Sequence, residues 1–132
     1  MPYDGIIFDS KTEMEFYRNY VKPKLASGEI KKCDLQVKWE LQPSFTYMGK
    51  KERAINYISD FDITYADGRF VVIDIKGMVK PMDQLKKKLF EYKYPDIELR
   101  FWGKSLIDGG FVDVDVIKKG RRERKKAKEK NK

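Results

Sequence analysis

Tyr57-Ile58-Ser59-Asp60-Phe61-Asp62-Ile63-Thr64-Tyr65, then Ala66-Asp67-Gly68, then Arg69-Phe70-Val71-Val72-Ile73-Asp74-Ile75-Lys76-Gly77 is the stretch whose reading decides the fold. Two β-rich apolar runs flank a turn, so residues 57–77 read as a β-hairpin. Its strands are apolar enough to be buried, yet they carry Asp60, Asp62, Asp74 and Lys76. Charge inside a buried strand is costly unless a partner such as a metal ion compensates it.

The period of two places Asp60 with Asp62 on one strand and Asp74 with Lys76 on the other. Whether the two sets meet depends on register. A two-residue Asp67-Gly68 turn would set Asp60 across from Ile75 and turn Asp74 to the other face. A three-residue Ala66-Asp67-Gly68 loop pairs Tyr65 with Arg69 and sets Asp60 opposite Asp74. Gly68 stands where a type I turn is closed by a left-handed residue, so the expectation is the three-residue loop.

Downstream, the chain bends at Pro81 and Met82 to Tyr92 reads as a helix with Leu85, Leu89 and Phe90 inward and Lys86, Lys87 and Lys88 on its other sides. Ile97 to Phe101 alternates as a strand, Leu106 to Gly110 is a turn, and Phe111 to Ile117 is a last strand with Val112, Val114 and Val116 in step.

Upstream, Tyr3 to Asp9 is a short apolar segment, and Ser10-Lys11-Thr12-Glu13 fits a capping box. A helix follows at least to Val21, ends or kinks before Pro23, and Gly28 closes the segment. At 100° per residue Glu13 shares a sector with Phe16, Tyr17 and Tyr20, whereas Glu15 lies opposite and faces water. Glu13 is thus either a cap or an inward functional carboxylate. Leu35 to Leu41 alternates as a strand with a wet face, on which Gln36 is either solvated or a substrate contact. Pro43 ends it, Phe45 to Met48 is a short strand or extended arm, and Gly49 to Arg53 is a charged turn.

The chain has 132 residues and a net charge of +8. From Lys118 onward there are ten basic and two acidic side chains, so residues 1–117 are neutral overall with 19 of each sign. One domain over 1–117 and a basic, flexible tail over 118–132 is the expectation. Such a tail serves as a nucleic-acid arm through residues such as Arg121, Arg122, Arg124, Lys125 and Lys126, or is simply a solubilising terminus. There is one cysteine, Cys33, and no histidine. A disulfide within the chain, a Cys/His zinc site and a Ser-His or Cys-His relay are therefore excluded. The absence of a long apolar run and of a basic-apolar leader predicts no membrane association and a cytoplasmic location.

Two or three carboxylates converging on one point suit a hard divalent cation such as Mg²⁺ or Mn²⁺. A lysine two residues beyond the second Asp reaches the same side and can act on a metal-bound water or a phosphate. Phosphodiester hydrolysis fits this set and needs no histidine.

In these residues the chain resembles the PD-(D/E)XK nuclease superfamily, with Asp60 as the first acid and Asp74-Ile75-Lys76 as the D-x-K. More narrowly, Phe8-Asp9-Ser10-Lys11-Thr12-Glu13, Gln36-Val37 with Leu41-Gln42-Pro43-Ser44-Phe45, Tyr57 to Phe61 and Val72 to Gly77 resemble a small phage-encoded group within it. The resemblance covers residues 4–101. It implies an α/β (α+β) fold with a restriction-endonuclease-like core, helix-strand-hairpin-helix-strand, in which a mixed central sheet is flanked by helices. It also implies a phage or prophage endonuclease, active in the bacterial host cytoplasm on DNA, some members acting on branched recombination intermediates. Glu13, Asp60, Asp74 and the Ile75 carbonyl would then be metal ligands, Lys76 the catalytic lysine, and Lys86 a residue near the scissile phosphate. Ser59 stands where the motif has proline, and Ile73 where the narrower group often has a second acid. The lack of any base-reading motif favours DNA structure over sequence as the recognised feature, and symmetric cutting by so small a domain would favour a homodimer. A non-catalytic DNA-binding or assembly subunit that kept the fold is the alternative.

Overall fold

The computed structural model describes residues 2–130. In chain order the elements are β1 (Pro2–Tyr3), β2 (Ile6–Ile7), α1 (Lys11–Phe16), a π-helical turn (Tyr17–Val21), α2 (Lys22–Ser27), β3 (Ile30–Leu35), β4 (Lys38–Gln42), β5 (Phe45–Tyr47), β6 (Lys50–Glu52), β7 (Ile55–Ile58), β8 (Phe61–Tyr65), β9 (Phe70–Ile75), α3 (Pro81–Lys93), β10 (Glu98–Ser105), a 3-10 turn (Leu106–Asp108), β11 (Gly110–Asp113) and α4 (Val114–Lys130). Five strands form the central sheet in the order β11-β10-β9-β8-β3. β9 and β10 run parallel and the other neighbours are antiparallel. A parallel pair cannot be joined by a tight turn, and α3 supplies the crossover. The fold is therefore mixed α+β, with helices on both sides of a mixed sheet.

Alternation along β9 divides the core. Val71, Ile73 and Ile75 join Phe8, Phe16, Val21, Phe61 and Ile63 in one cluster under α1 and α2. Val72 joins Leu41, Tyr57, Phe90, Leu99 and Phe101 in a second cluster under α3 and the β4–β7 pair. By parity Asp74 and Lys76 belong to this second side.

The hairpin register is the expected one. Phe61 pairs with Ile73, Ile63 with Val71 and Thr64 with Phe70. The Tyr65 N–H donates to the Arg69 carbonyl at 2.8 Å across the Ala66-Asp67-Gly68 loop, and Gly68 has φ +93°. A left-handed residue there is what lets a three-residue loop close without splaying the strands.

Several expectations need correction. Of the end and the kink expected at Pro23, the structure excludes the end. The Lys22 N–H reaches five residues back to the Tyr17 carbonyl, and the helix continues through Ser27 to a left-handed Gly28. This wider turn carries the chain past a proline that has no N–H to give and whose ring crowds the preceding turn. Glu15 does not face water; it is buried and paired with Lys104 of β10. Residues 35–41 are not one strand, because Gln36 sits at φ +50° and the chain leaves the central sheet there. β4 pairs instead with β7, and β5 with β6, so residues 38–58 form a two-stranded arm and Lys50–Glu52 is strand rather than turn. Tyr57 and Ile58 belong to this arm and not to β8.

Leu85 is 52% exposed, so the inward stripe of α3 is Leu89 and Phe90 alone. Val114 to Ile117 are not strand: β11 stops at Asp113, and a helix runs from Val114 through the basic segment to Lys130. Ile117 anchors it in the body and Arg124 pairs with Asp108 at 2.9 Å. The basic segment expected to form a tail is helical to Lys130; Asn131 and Lys132 lie outside the described residues. Among the described residues no helix is long and apolar enough to cross a membrane.

Candidate functional site

β7 ends at Ile58 and β8 begins at Phe61, so Ser59 and Asp60 form a break between the arm and the central sheet. The Asp60 N–H, not used in the β8 ladder, donates to Asp74 Oδ1 at 2.8 Å, and the Ile75 N–H donates to Asp60 Oδ2 at 2.9 Å. Two acids thereby hold each other's strands at the C-terminal end of β9. Asp74 Oδ2 accepts from the Tyr57 hydroxyl and lies 3.6 Å from Lys76 Nζ. Asp74 is almost fully buried, and Asp60 is partly so.

Burial pushes the Asp60 carboxyl up, and the Asp74 charge adds to it, to about 8. Asp74 is also raised by burial, with the Tyr57 hydroxyl, the Asp60 N–H and Lys76 pulling the other way. Two adjacent carboxylates away from water resist carrying two negative charges, and a cation would relieve both.

Lys76 is positioned by α3. Pro81 takes the first helical position, where its missing N–H costs nothing. Asp83 Oδ2 accepts from the Lys80 N–H at 2.9 Å, and Asp83 Oδ1 accepts from Lys76 Nζ at 3.1 Å. Burial opposes the charge on Lys76, but Asp83 and Asp74 outweigh it and hold the ammonium above its ordinary value. Lys76 therefore stays a cation. The helix start and the lysine are pinned by one carboxylate.

Glu13 is brought near this group without joining it. Ser10 caps its N–H at 3.1 Å, so the cap half of the expectation is present. Its carboxyl is raised first by burial, then by the charges of Asp9 and Asp74. Glu13, Gln36 and Asp60 line a cleft of about 130 Å³ beside α1. Gln36 is exposed and donates to Asp9 Oδ2 at 3.2 Å. Among the described residues no three His, Cys, Asp or Glu side chains are gathered as a metal cage. Asp62 is buried and accepts from Ser59 Oγ at 2.6 Å and Trp39 Nε1 at 3.2 Å. The Ile75 side chain packs in the core.

The remaining basic candidates divide. Lys86 donates to the Asn56 carbonyl at 3.1 Å and so ties α3 to β7. Lys76, Lys104, Lys118 and Arg121 line one cleft of about 430 Å³ between β10, α4 and the end of β9. Arg122, Lys125 and Lys126 are exposed on α4, while Arg124 is held by Asp108. Sequence reasoning missed Tyr57 and Asp83. Asp83 had a signal, an acid at the third position after a helix start marked by Pro81. Tyr57 had none, because its contact depends on the break at Ser59 and Asp60.

The model of the family described as "Protein of unknown function (DUF1064)" matches residues 1–108, and the chain belongs to that family. No curated protein and no solved structure matches it.

Proposed function

We propose that this member of the DUF1064 family is a divalent-metal-dependent DNA endonuclease of phage or prophage type, with a restriction-endonuclease-like core of the PD-(D/E)XK kind. It selects DNA structure, such as branched intermediates, rather than sequence. The observation that carries the reading is that the buried Asp74 carboxylate accepts from the Asp60 N–H, with the ammonium of Lys76 3.6 Å away.

The donor set fits Mg²⁺ or Mn²⁺, since it consists of hard oxygens in a place where negative charge is disfavoured. Asp60, Asp74 and the Ile75 carbonyl would hold the ion, with Glu13 closing in from α1. When bound, such a cation lowers the pKa of water and offsets charge on a phosphate. The chain's own residues do the rest. Tyr57 and the Asp60 N–H fix the Asp74 carboxylate. Lys76, kept protonated and aimed by Asp83, acts as an electrostatic partner for a phosphate oxygen and not as a base. The cleft lined by Lys76, Lys104, Lys118 and Arg121 offers the phosphate backbone a path to the acids.

Incubation with linear, nicked, flapped and four-way-junction DNA in Mg²⁺, Mn²⁺ or EDTA tests this. The expected result is metal-dependent cleavage, abolished by Asp74→Ala and by Lys76→Ala. That no third carboxylate is gathered with Asp60 and Asp74 among the described residues favours a second reading, a DNA-binding or assembly subunit without activity. Binding without cleavage under every metal condition selects that one.

A further inference from the structure

The arm formed by residues 38–58 has an outer part, β5–β6, that the proposed active site does not use. Phe45, Thr46 and Tyr47 are all exposed, as are Lys50 and Lys51, so this ribbon shows both faces to solvent. Tyr47 is 62% exposed, and Met48, at the tip with φ +48°, is 88% exposed. Strand pairing sets Tyr47 opposite Lys50, and Phe45 opposite Glu52. One face therefore carries Phe45, Tyr47, Lys50 and Glu52, and the other Thr46 and Lys51. Between Phe45 and Arg53 there are three basic side chains and one acid, Glu52, which lies 3.9 Å from Lys50.

A two-stranded ribbon with both faces wet is marginal by itself, and exposed rings at its tip ask for a partner. A second copy of the chain is a poor one. A two-fold contact would bring the same patch to itself, setting Lys50, Lys51 and Arg53 against their equals. A polyanion is a good one. The major groove of duplex DNA, about 12 Å wide, admits a two-stranded ribbon flanked by phosphates. The arm is also continuous with the candidate site, because β6 leads into β7, whose Tyr57 holds Asp74.

We infer that β5–β6 is a DNA-binding arm, which lays its ribbon in a groove of the substrate with Lys50, Lys51 and Arg53 on phosphates and Tyr47 and Met48 at the bases. This rests on DNA being the substrate of the proposed nuclease.

The test is anisotropy binding of the full chain to labelled duplex and four-way-junction DNA in EDTA across a salt series. Lys50→Glu with Lys51→Glu is expected to weaken binding at least tenfold and to reduce the log–log salt slope by about two, since each phosphate contact contributes about 0.9. Tyr47→Ser with Met48→Ser is expected to weaken binding about tenfold with the slope unchanged. All four positions are exposed, and unchanged circular dichroism verifies the fold. Binding within twofold of the parent for both double variants overturns the inference, as does a dimer of the parent that the arm variants convert to monomer. A parent that binds without cutting, with the arm variants losing affinity, leaves the arm standing and removes the nuclease. A parent that cuts, with arm variants that bind equally well, does the reverse. A parent that binds no DNA overturns both.

Discussion

The Asp60 N–H donates to Oδ1 of Asp74 at 2.8 Å, so the first acid of the hairpin orients the second through its backbone and not its side chain. The Asp60 carboxylate is left to the Ile75 N–H. This division depends on the interrupted ladder at Ser59 and Asp60, because a continuous strand would have consumed the Asp60 N–H in sheet pairing. The same contact brings two carboxylates together away from water, and the first prediction concerns that repulsion.

Burial, and then the Asp74 charge, push the Asp60 carboxyl from its ordinary 3.8 up to about 8. A raised carboxyl contributes stability that is fully present below its unfolded value and lost as pH rises through the folded one. In EDTA the melting temperature is therefore expected to fall between about pH 4 and pH 8. Asp60→Asn keeps an acceptor for the Ile75 N–H and removes the charge. It should flatten that slope and raise stability at pH 8 by on the order of 1–2 kcal/mol, roughly 5 °C or more in a domain of this size. Mg²⁺ at pH 8 should stabilise the parent more than this variant. A pH slope the variant does not change would count against the coupling.

Tyr57→Phe removes the hydroxyl from Asp74 Oδ2 and leaves that buried oxygen with Lys76 at 3.6 Å. Loss of a hydrogen bond to a buried charged group costs about 1–3 kcal/mol, which thermal melting at pH 7 would register. On the proposed function, cleavage should fall about tenfold while DNA affinity in EDTA holds. Equal loss of both would assign Tyr57 to the fold alone.

Asp83 holds both the start of α3 and the Lys76 ammonium. Asp83→Ala should cost about 1 kcal/mol through the lost cap. It should also lower the pKa of Lys76, since burial is then opposed mainly by Asp74. If activity needs the ammonium, the alkaline limb of the pH–rate profile moves to lower pH. A variant that loses rate equally at every pH would place Asp83 in the fold only.

What the sequence disclosed and what it hid follow from the range of the interactions involved. The hairpin register was legible because Gly68 and the loop length are local turn chemistry, and the Asp60–Asp74 pairing comes with the register. The α3 helix and β10 were legible from their periods. Glu15 was misplaced because the helical wheel gives direction but not the height of the neighbouring sheet, where Lys104 waits. Pro23 leaves an end and a kink open because proline opposes a regular helix, and the π turn that decides between them is a tertiary accommodation with no local mark. The strand 35–41 was overextended because alternation persists through Gln36, while the positive φ that breaks it serves the arm. The helix α4 was hidden by charge: its basic residues argue against self-sufficient folding, yet Ile117 and Arg124 dock it.

That docking supplies the last prediction. Gly103 is buried on β10, and a Cβ there would stand 2.9 Å from Ile117 Cδ1 and 3.1 Å from the Lys76 carbonyl. The first neighbour is the end of a side chain and can turn aside. The second is backbone, tied through the Lys76 N–H to the Trp102 carbonyl at 2.7 Å, and cannot. Gly103→Ala should therefore destabilise by about 1–3 kcal/mol, the ordinary cost of overpacking a core. Adding Ile117→Val removes Cδ1 and should recover part of the melting temperature without recovering cleavage, because the Lys76 backbone remains displaced. Recovery of both would mean that α4 packing, and not the seat of Lys76, limits the site. A Gly103→Ala protein with unchanged melting temperature and full activity would show that the strand has room the geometry denies it.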